Sequence, residues 1–286
     1  MARTCTVGNL SVGPGHPLCI IAGPCVIESR ELGLTIGRAV RDACRANGLS
    51  YIFKASFDKA NRTSIDSPRG PGMENGLDWI ASIGRELGVP TTTDIHEPSQ
   101  ADPAAERIDL LQIPAFLCRQ TDLLVAAGAT AAARGRAVNV KKGQFLSPEE
   151  MSGPVHKLAQ AGCDNAMLTE RGTFFGYGRL VNDFLGVAEM MELRVGGREP
   201  APVCFDCTHS TQRPGRGEGG KVTGGQARLA PLLARAATAA GVHALFIECH
   251  PEPSRALSDA ATMIPLAEIP GVLRDVAAIR HALARA

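Results

Sequence analysis

The sequence predicts an α/β protein folded as a single (β/α)₈ (TIM) barrel, and three observations point there. Eight short β-rich runs recur along the chain, helical stretches separate them, and ionisable residues gather at the C-terminal ends of the runs. The length of 286 residues sits just above the roughly 250 typical of such a barrel, so one domain over residues 1–286 is expected.

The predicted strands fall at residues 18–22, 51–57, 91–95, 110–114, 138–142, 166–171, 203–209 and 244–249. Successive starts lie about 20 to 40 residues apart, room for a loop, a helix and a return, which is the repeat of a parallel sheet. Ahead of them, residues 6–12 with their Gly-Asn turn read as a hairpin, making residues 1–16 a cap over the bottom of the barrel. A first helix is expected over 29–47, opening with Ser and Glu and stopping before Gly48. Another is expected over 225–240, rich in Ala, Leu and Arg. Residues 210–225, rich in Gly and charge, read as a long mobile loop over the site.

With 44% hydrophobic and 21% charged residues, the chain can build a large core and lacks the signature of disorder. A net charge of +1 supplies no global field for nucleic acid or an anionic membrane, so any basic site must be a local cluster. No run approaches the about 18 apolar residues of a spanning helix, and the N-terminus shows no basic start with an apolar run behind it. Nine scattered cysteines, an odd number, suit reduced thiols. The expectation is a cytoplasmic protein.

A barrel enzyme builds its site where the strands end, and here nearly every end carries chemistry. The ends offer Cys25 and Glu28, Lys54 and Ser56, Asp94 and His96, Gln112, Lys141 or Lys142, Arg171, Asp206 and His209, and Glu248 and His250. Alternation puts Lys54 and Ser56 on one face of their strand and Asn139 and Lys141 on one face of theirs, so Lys142 points the other way. With Lys59, Arg62, Arg119 and Arg171, these lysines form a ring of cations with few neighbouring carboxylates, which suits substrates carrying phosphate. Any one of these cations could simply solvate a loop; recurrence at equivalent strand ends is what carries the reading.

Closure of a barrel makes the first and eighth strands neighbours, with the seventh beside the eighth. Cys25, His209 and Glu248 end those three strands, and Asp259 follows Glu248 by eleven residues. Together they offer a thiolate, an imidazole and two carboxylates to a divalent cation. Singly, Cys25 would pass for a small buried hydrophobe and Asp259 for a helix cap. Cys204 and Cys207 have CxxC spacing but fall on opposite faces of a strand, which argues against redox or zinc use. The run GRGEGGKVTGG lacks the order of a phosphate loop. His96 and His250 either support the site from behind or are ordinary loop residues.

The words FKASFDKANRTS, TDIHEPSQ, QIPAFLCRQTDL, NVKKGQF, LTERGTFFGY and FIECHPEPSRALSDAATMIPL follow one another in order. In them the chain resembles the 3-deoxy-D-manno-octulosonate 8-phosphate synthases, from about residue 18 to the final helix. The resemblance implies a (β/α)₈ barrel, usually a homotetramer. Its reaction joins phosphoenolpyruvate to D-arabinose 5-phosphate, adds water and releases inorganic phosphate, for lipopolysaccharide precursors. It implies that Lys59, Lys141 and Arg171, with Lys54, Ser56 and Gln112, bind phosphoenolpyruvate. Asn61, Arg62 and Thr63 would hold the sugar phosphate, Asp94 would lie near its hydroxyls, and Arg119 would reach its phosphate from a neighbouring subunit. Lys59, Lys141, Asp94 and His209 would be catalytic.

The word IAGPCVIES has Cys where a metal-independent branch of that family has Asn, so the chain resembles the metal-requiring branch. The implied cofactor is one divalent ion per subunit, Zn²⁺, Fe²⁺ or Mn²⁺, on Cys25, His209, Glu248 and Asp259. A rival is the related 3-deoxy-arabino-heptulosonate 7-phosphate synthase, which uses erythrose 4-phosphate. The word KANRTS, where that relative resembles KPRS or KPRT, speaks against it. A non-catalytic phosphosugar-binding barrel is the rival of another class.

Overall fold

Two three-residue strands, β1 (Cys5–Val7) and β2 (Leu10–Val12), pair antiparallel as the Gly-Asn turn predicts. The computed structural model describes residues 2–61, 65–216 and 224–284. The parallel strands are β3 (Cys19–Gly23), β4 (Ser50–Lys54), β5 (Thr91–Asp94), β6 (Leu110–Ile113), β7 (Ala137–Lys141), β8 (Ala166–Glu170) and β9 (Val203–Asp206). After short antiparallel partners β10 (Gln212–Arg213) and β11 (Gly224–Gly225) comes β12 (Ala244–His250), followed by β13 (Ile264–Pro265) at its side. Each of β3 to β8 pairs in parallel with the next, and β12 pairs with both β9 and β3, which closes the barrel.

The outer ring is α1 (Arg30–Ala46), α2 (Met73–Leu87), α3 (Ala101–Arg107), α4 (Thr121–Arg134), α5 (Ser152–Gln160), α6 (Phe184–Glu192), α7 (Ala230–Ala239) and α8 (Ile269–Leu283). Ser29 caps α1 by accepting from the Leu32 N–H at 3.1 Å, and Asn47 closes it, matching the expected limits. The helix expected over 225–240 starts only at Ala230, because Gly224–Gly225 is held in the β10–β11 pair and a 3₁₀ turn, Ala227–Leu229, intervenes.

Period-two alternation sorts each strand into two shells. Ile20, Ala22, Phe53, Val138, Val140, Leu168, Phe205 and Ile247 face the helices. Cys19, Ile21, Ile52, Leu110, Ala137, Met167, Cys204, Ala244 and Phe246 turn inward and pack with Cys5, Val7 and Val12 of the hairpin. The hairpin thus plugs the barrel at the N-terminal ends of its strands. Cys204 lies in the inner shell and Cys207 in the outer, so the CxxC pair is split as alternation requires. At Gly23 a Cβ would come within 2.0 Å of the Lys54 carbonyl oxygen, so only glycine lets the end of β3 approach β4 this closely. Among the described residues no helix is long and apolar enough to cross a membrane.

Candidate active site

Two predicted strands, 51–57 and 203–209, end three residues earlier than their sequence suggests, and this shapes the site. Ser56 lies beyond β4 and is held by a bridge to Val26. His209 lies beyond β9 in a 3₁₀ turn that Asp206 organises: its Oδ1 accepts from the backbone N–H groups of Thr208 at 3.2 Å and His209 at 2.9 Å. The other carboxylate oxygen of Asp206 lies 2.7 Å from His209 Nδ1. Asp206 therefore fixes the ring and leaves Nε2 to face the site, the arrangement that metal-ligating histidines use.

Cys25 Sγ donates to Asp259 Oδ2 at 3.0 Å, and single ligand atoms of Cys25, Glu248 and Asp259 all lie within 4.8 Å of one another. His209 Nε2 is 3.6 Å from Glu248 Oε2 and 3.7 Å from Asp259 Oδ2. Glu248 Oε2 is buried and finds no hydrogen-bond partner among the described residues. An orphaned carboxylate oxygen beside a thiol, a second carboxylate and an oriented imidazole fits a divalent cation. Asp259 adopts φ 51°, a left-handed conformation uncommon outside glycine, and caps no described helix. Burial, with Asp259 and Glu248 nearby, pushes the Cys25 thiol pKa well up, so without a cation the thiol keeps its proton.

The cation arc differs from the expectation in one respect: carboxylates stand among the cations. Lys54 Nζ pairs with Glu248 Oε1 and donates to the Cys25 carbonyl at 2.9 Å. Lys141 Nζ pairs with Asp206 Oδ2 at 2.7 Å. Lys59 Nζ donates to Ser56 Oγ at 3.0 Å, and Ser56 donates to Asp94 Oδ2. Burial alone would raise the Asp94 pKa, but Lys54, Lys59, Lys141 and His96 outweigh it and hold the carboxyl well below the usual range. Burial likewise disfavours a charged Lys59, yet Cys25, Glu248, Asp94 and Asp259 hold its pKa above the usual lysine value. Alternation hid the pairings of Lys54 and Lys141 with carboxylates, because each joins strands far apart in sequence.

Arg171 donates to Gln212 Oε1 at 2.7 Å through Nη2, while its buried Nη1 finds no partner among the described residues. Burial pulls its pKa down, but a guanidinium stays charged, so Nη1 is a ready donor for an anion. Lys142 points away, as predicted, donating to the Leu146 carbonyl at 3.0 Å and Thr173 Oγ1 at 3.1 Å. Gln112 reaches Asp94 Oδ1 at 2.6 Å.

The structure thus gathers Cys25, Lys54, Ser56, Lys59, Asp94, Gln112, Lys141, Arg171, His209, Glu248 and Asp259 on one rim. Asn61 is exposed at the end of a described stretch, and Arg62 and Thr63 lie outside the described residues. Arg119 is exposed, its carbonyl accepting from Lys157 Nζ at 2.9 Å. The loop expected over 210–225 is pinned at its base by β10 and β11, and residues 217–223 lie outside the described residues. His250 is the buried last residue of β12, its Nδ1 accepting from the Glu252 N–H at 3.0 Å. His96 lies edge-on to Phe57, with ring centroids 5.9 Å apart.

Two contributors carry no assigned role in the sequence reading. Asp206 is one, and its spacing three residues before His209 is the signal that identifies it. Phe246 is the other: its ring lies 3.5 Å below Lys141 Nζ and 5.3 Å from Lys54 Nζ, an aromatic floor under both cations. It stands two residues before Glu248, hence on the same inward face.

The family model described as the DAHP synthetase I family matches residues 3–281. The chain belongs to that family. Within it, a protein from Cyanothece sp. named 2-dehydro-3-deoxyphosphooctonate aldolase is 51% identical over 284 residues, 99% of this chain and 100% of its own. Proteins of the same name from Nitratidesulfovibrio vulgaris and Granulibacter bethesdensis are 52% and 50% identical, covering 91% and 96% of this chain and 91% and 93% of their own. The likeness read from the sequence words is therefore to the octulosonate members of the family.

Proposed function

We propose that this chain condenses phosphoenolpyruvate with D-arabinose 5-phosphate and water, giving 3-deoxy-D-manno-octulosonate 8-phosphate and inorganic phosphate. What carries the reading is that relatives about half identical over nearly the whole chain bear the name of this enzyme. The gathered rim supplies what the reaction needs.

The π electrons of phosphoenolpyruvate form the new bond from C3 to the aldehyde carbon, whose oxygen takes up a proton. Water bonds to the electron-poor C2 and gives up a proton. The resulting hemiketal phosphate then breaks its C2–O bond, phosphate leaves with the electron pair, and the remaining hydroxyl loses its proton to become the ketone. Arg171 Nη1, Lys141 and Lys59, with Lys54, Ser56 and Gln112 beside them, bind the carboxylate and phosphate of phosphoenolpyruvate. Asp94, ionised and fixed on both oxygens, receives the sugar hydroxyls. Asn61, Arg62 and Thr63 hold the sugar phosphate. Arg119, exposed at the rim, serves the neighbouring subunit of a homotetramer.

Because Lys54 and Lys141 already face carboxylates, the arc by itself is close to charge-balanced, and two phosphorylated substrates call for further positive charge. Cys25, His209, Glu248 and Asp259 would hold a divalent ion that supplies this charge, polarising the aldehyde or lowering the pKa of a water. His209 is held by Asp206 so that its Nε2 is available at that corner. The free, buried cysteines suit a cytoplasmic enzyme, and the product suits lipopolysaccharide assembly.

The erythrose 4-phosphate reaction is not favoured, since the word KANRTS and the relatives' name both speak against it. A phosphate-release assay with phosphoenolpyruvate and either sugar tests the choice. Arabinose 5-phosphate is expected to support turnover at least about a hundredfold better in kcat/KM, about 2.8 kcal/mol or more at roughly 1.4 kcal/mol per decade. Consumption of erythrose 4-phosphate alone would overturn the assignment, and no release with either sugar would favour a binding protein.

A further inference from the structure

One buried line of hydrogen bonds runs under the candidate site from β8 to the end of β4. Thr169 Oγ1 donates to Asn139 Oδ1 at 2.7 Å, and Asn139 Nδ2 donates to Gln112 Oε1 at 3.0 Å. Gln112 Nε2 donates to Asp94 Oδ1 at 2.6 Å. From the other side Ser56 donates to Asp94 Oδ2, and Lys59 Nζ donates to Ser56 Oγ at 3.0 Å. Thr169, Asn139, Gln112 and Ser56 are each 0% exposed. The strand register places Asn139 opposite Gln112 on one side and Met167 on the other, one inward step below Lys141.

The polarity of this line is set at one end. Asp94 is ionised and can only accept, so Gln112 must turn its NH₂ group toward Asp94 and its carbonyl toward Asn139. Asn139 must then give its own NH₂ to Gln112 and its carbonyl to Thr169, which is left to donate. A reversed amide at either position would face two acceptors or two donors across a buried contact, at the full cost of an unpaired group. The inward positions of a barrel are ordinarily filled by Val, Ile and Leu. Buried polar side chains satisfied only through one another contribute little stability over such residues, and orientation is what they supply.

Building on the condensation proposed above, we propose that Asn139 and Thr169 are positioning residues for it. Acting through Gln112, they hold the Asp94 carboxylate in one orientation toward the sugar hydroxyls and keep Ser56 and Lys59 aligned with it. Neither residue needs to touch a substrate.

A double-mutant cycle tests this. Thr169→Val keeps the side-chain shape and removes the donor, and is expected to lower kcat about tenfold, the effect of one lost buried hydrogen bond. Thr169→Ser keeps the hydroxyl and should return kcat to within about twofold of the starting enzyme. In an Asp94→Asn background, followed by single turnover, Thr169→Val should cause no further loss, because the group it positions is gone. Asn139→Asp, nearly isosteric but reversed in polarity, provides a second probe should the valine variant fold poorly, and its loss should vanish in the same background. Additive losses, full activity of Thr169→Val and Asn139→Asp, or failure of serine to rescue would each overturn the positioning role and leave the condensation standing. A wild-type protein that releases no phosphate from the two substrates would overturn the condensation instead.

Discussion

Replacing Lys141 by Met will lower kcat/KM for phosphoenolpyruvate by about two to three orders of magnitude, the loss typical of removing one preorganised charged donor. Lys141 is buried, with its Nζ 2.7 Å from Asp206 Oδ2 and 3.5 Å over the Phe246 ring. A cation fixed between a carboxylate and an aromatic face needs no reorganisation when a phosphate or carboxylate arrives. Methionine fills much of the same volume, so the loss reports charge more than packing. Asp206 keeps the Thr208 and His209 backbone donors and the His209 ring, so its charge stays satisfied and stability should fall by only ~1–3 kcal/mol. Steady-state kinetics beside a thermal melt separate the two effects. Activity within tenfold of wild type would remove Lys141 from the machinery.

Chelation will abolish turnover, and Zn²⁺, Fe²⁺ or Mn²⁺ will restore it, with binding near one ion per chain by metal analysis. Cys25→Ala will lose that stoichiometry, because the thiol stands among Asp259, Glu248 and the His209 corner. Since burial and the two carboxylates keep the Cys25 thiol protonated, an incoming ion displaces its proton. Affinity should therefore rise with pH, about tenfold per unit across the neutral range for one proton released. Calorimetry in two buffers of different ionisation enthalpy reads that proton. Cys25→Asn separates two roles for the ion: partial activity in chelator supports positioning of the sugar, and complete, unrecoverable loss points to Lewis acidity. A fully active metal-free protein would take Cys25 off the ligand set.

Strand positions were legible because inward and outward residues alternate, and this set Asn139 and Lys141 on one face and Lys142 on the other directly from sequence, as Lys141 reaching Asp206 and Lys142 reaching the Leu146 carbonyl bear out. The grouping of Cys25, His209 and Glu248 was legible from closure, since β12 must neighbour β3 and β9. What alternation could not give is the pairing across the barrel. Lys54 and Glu248 are 194 residues apart and Lys141 and Asp206 are 65 apart, so nothing local announces that the cation arc is already partly neutralised. His209 lies beyond its strand, placed by side-chain capping from Asp206, which is a matter of turn chemistry and not of periodicity. Taken singly, Asp259 reads in sequence as a cap beside Ser258, and it joined the candidate set only by convergence with Cys25, His209 and Glu248; its left-handed backbone and its contact with Cys25 speak against the cap.

The most direct measurement follows the bridging oxygen of phosphoenolpyruvate, labelled with ¹⁸O between C2 and phosphorus, in a turnover with arabinose 5-phosphate. Water adding at C2 and loss of phosphate from the hemiketal break the C2–O bond, so the label should leave in inorganic phosphate while the new ketone oxygen comes from solvent. Unlabelled phosphate with the label retained in the ketone would mean cleavage at phosphorus and would contradict the account.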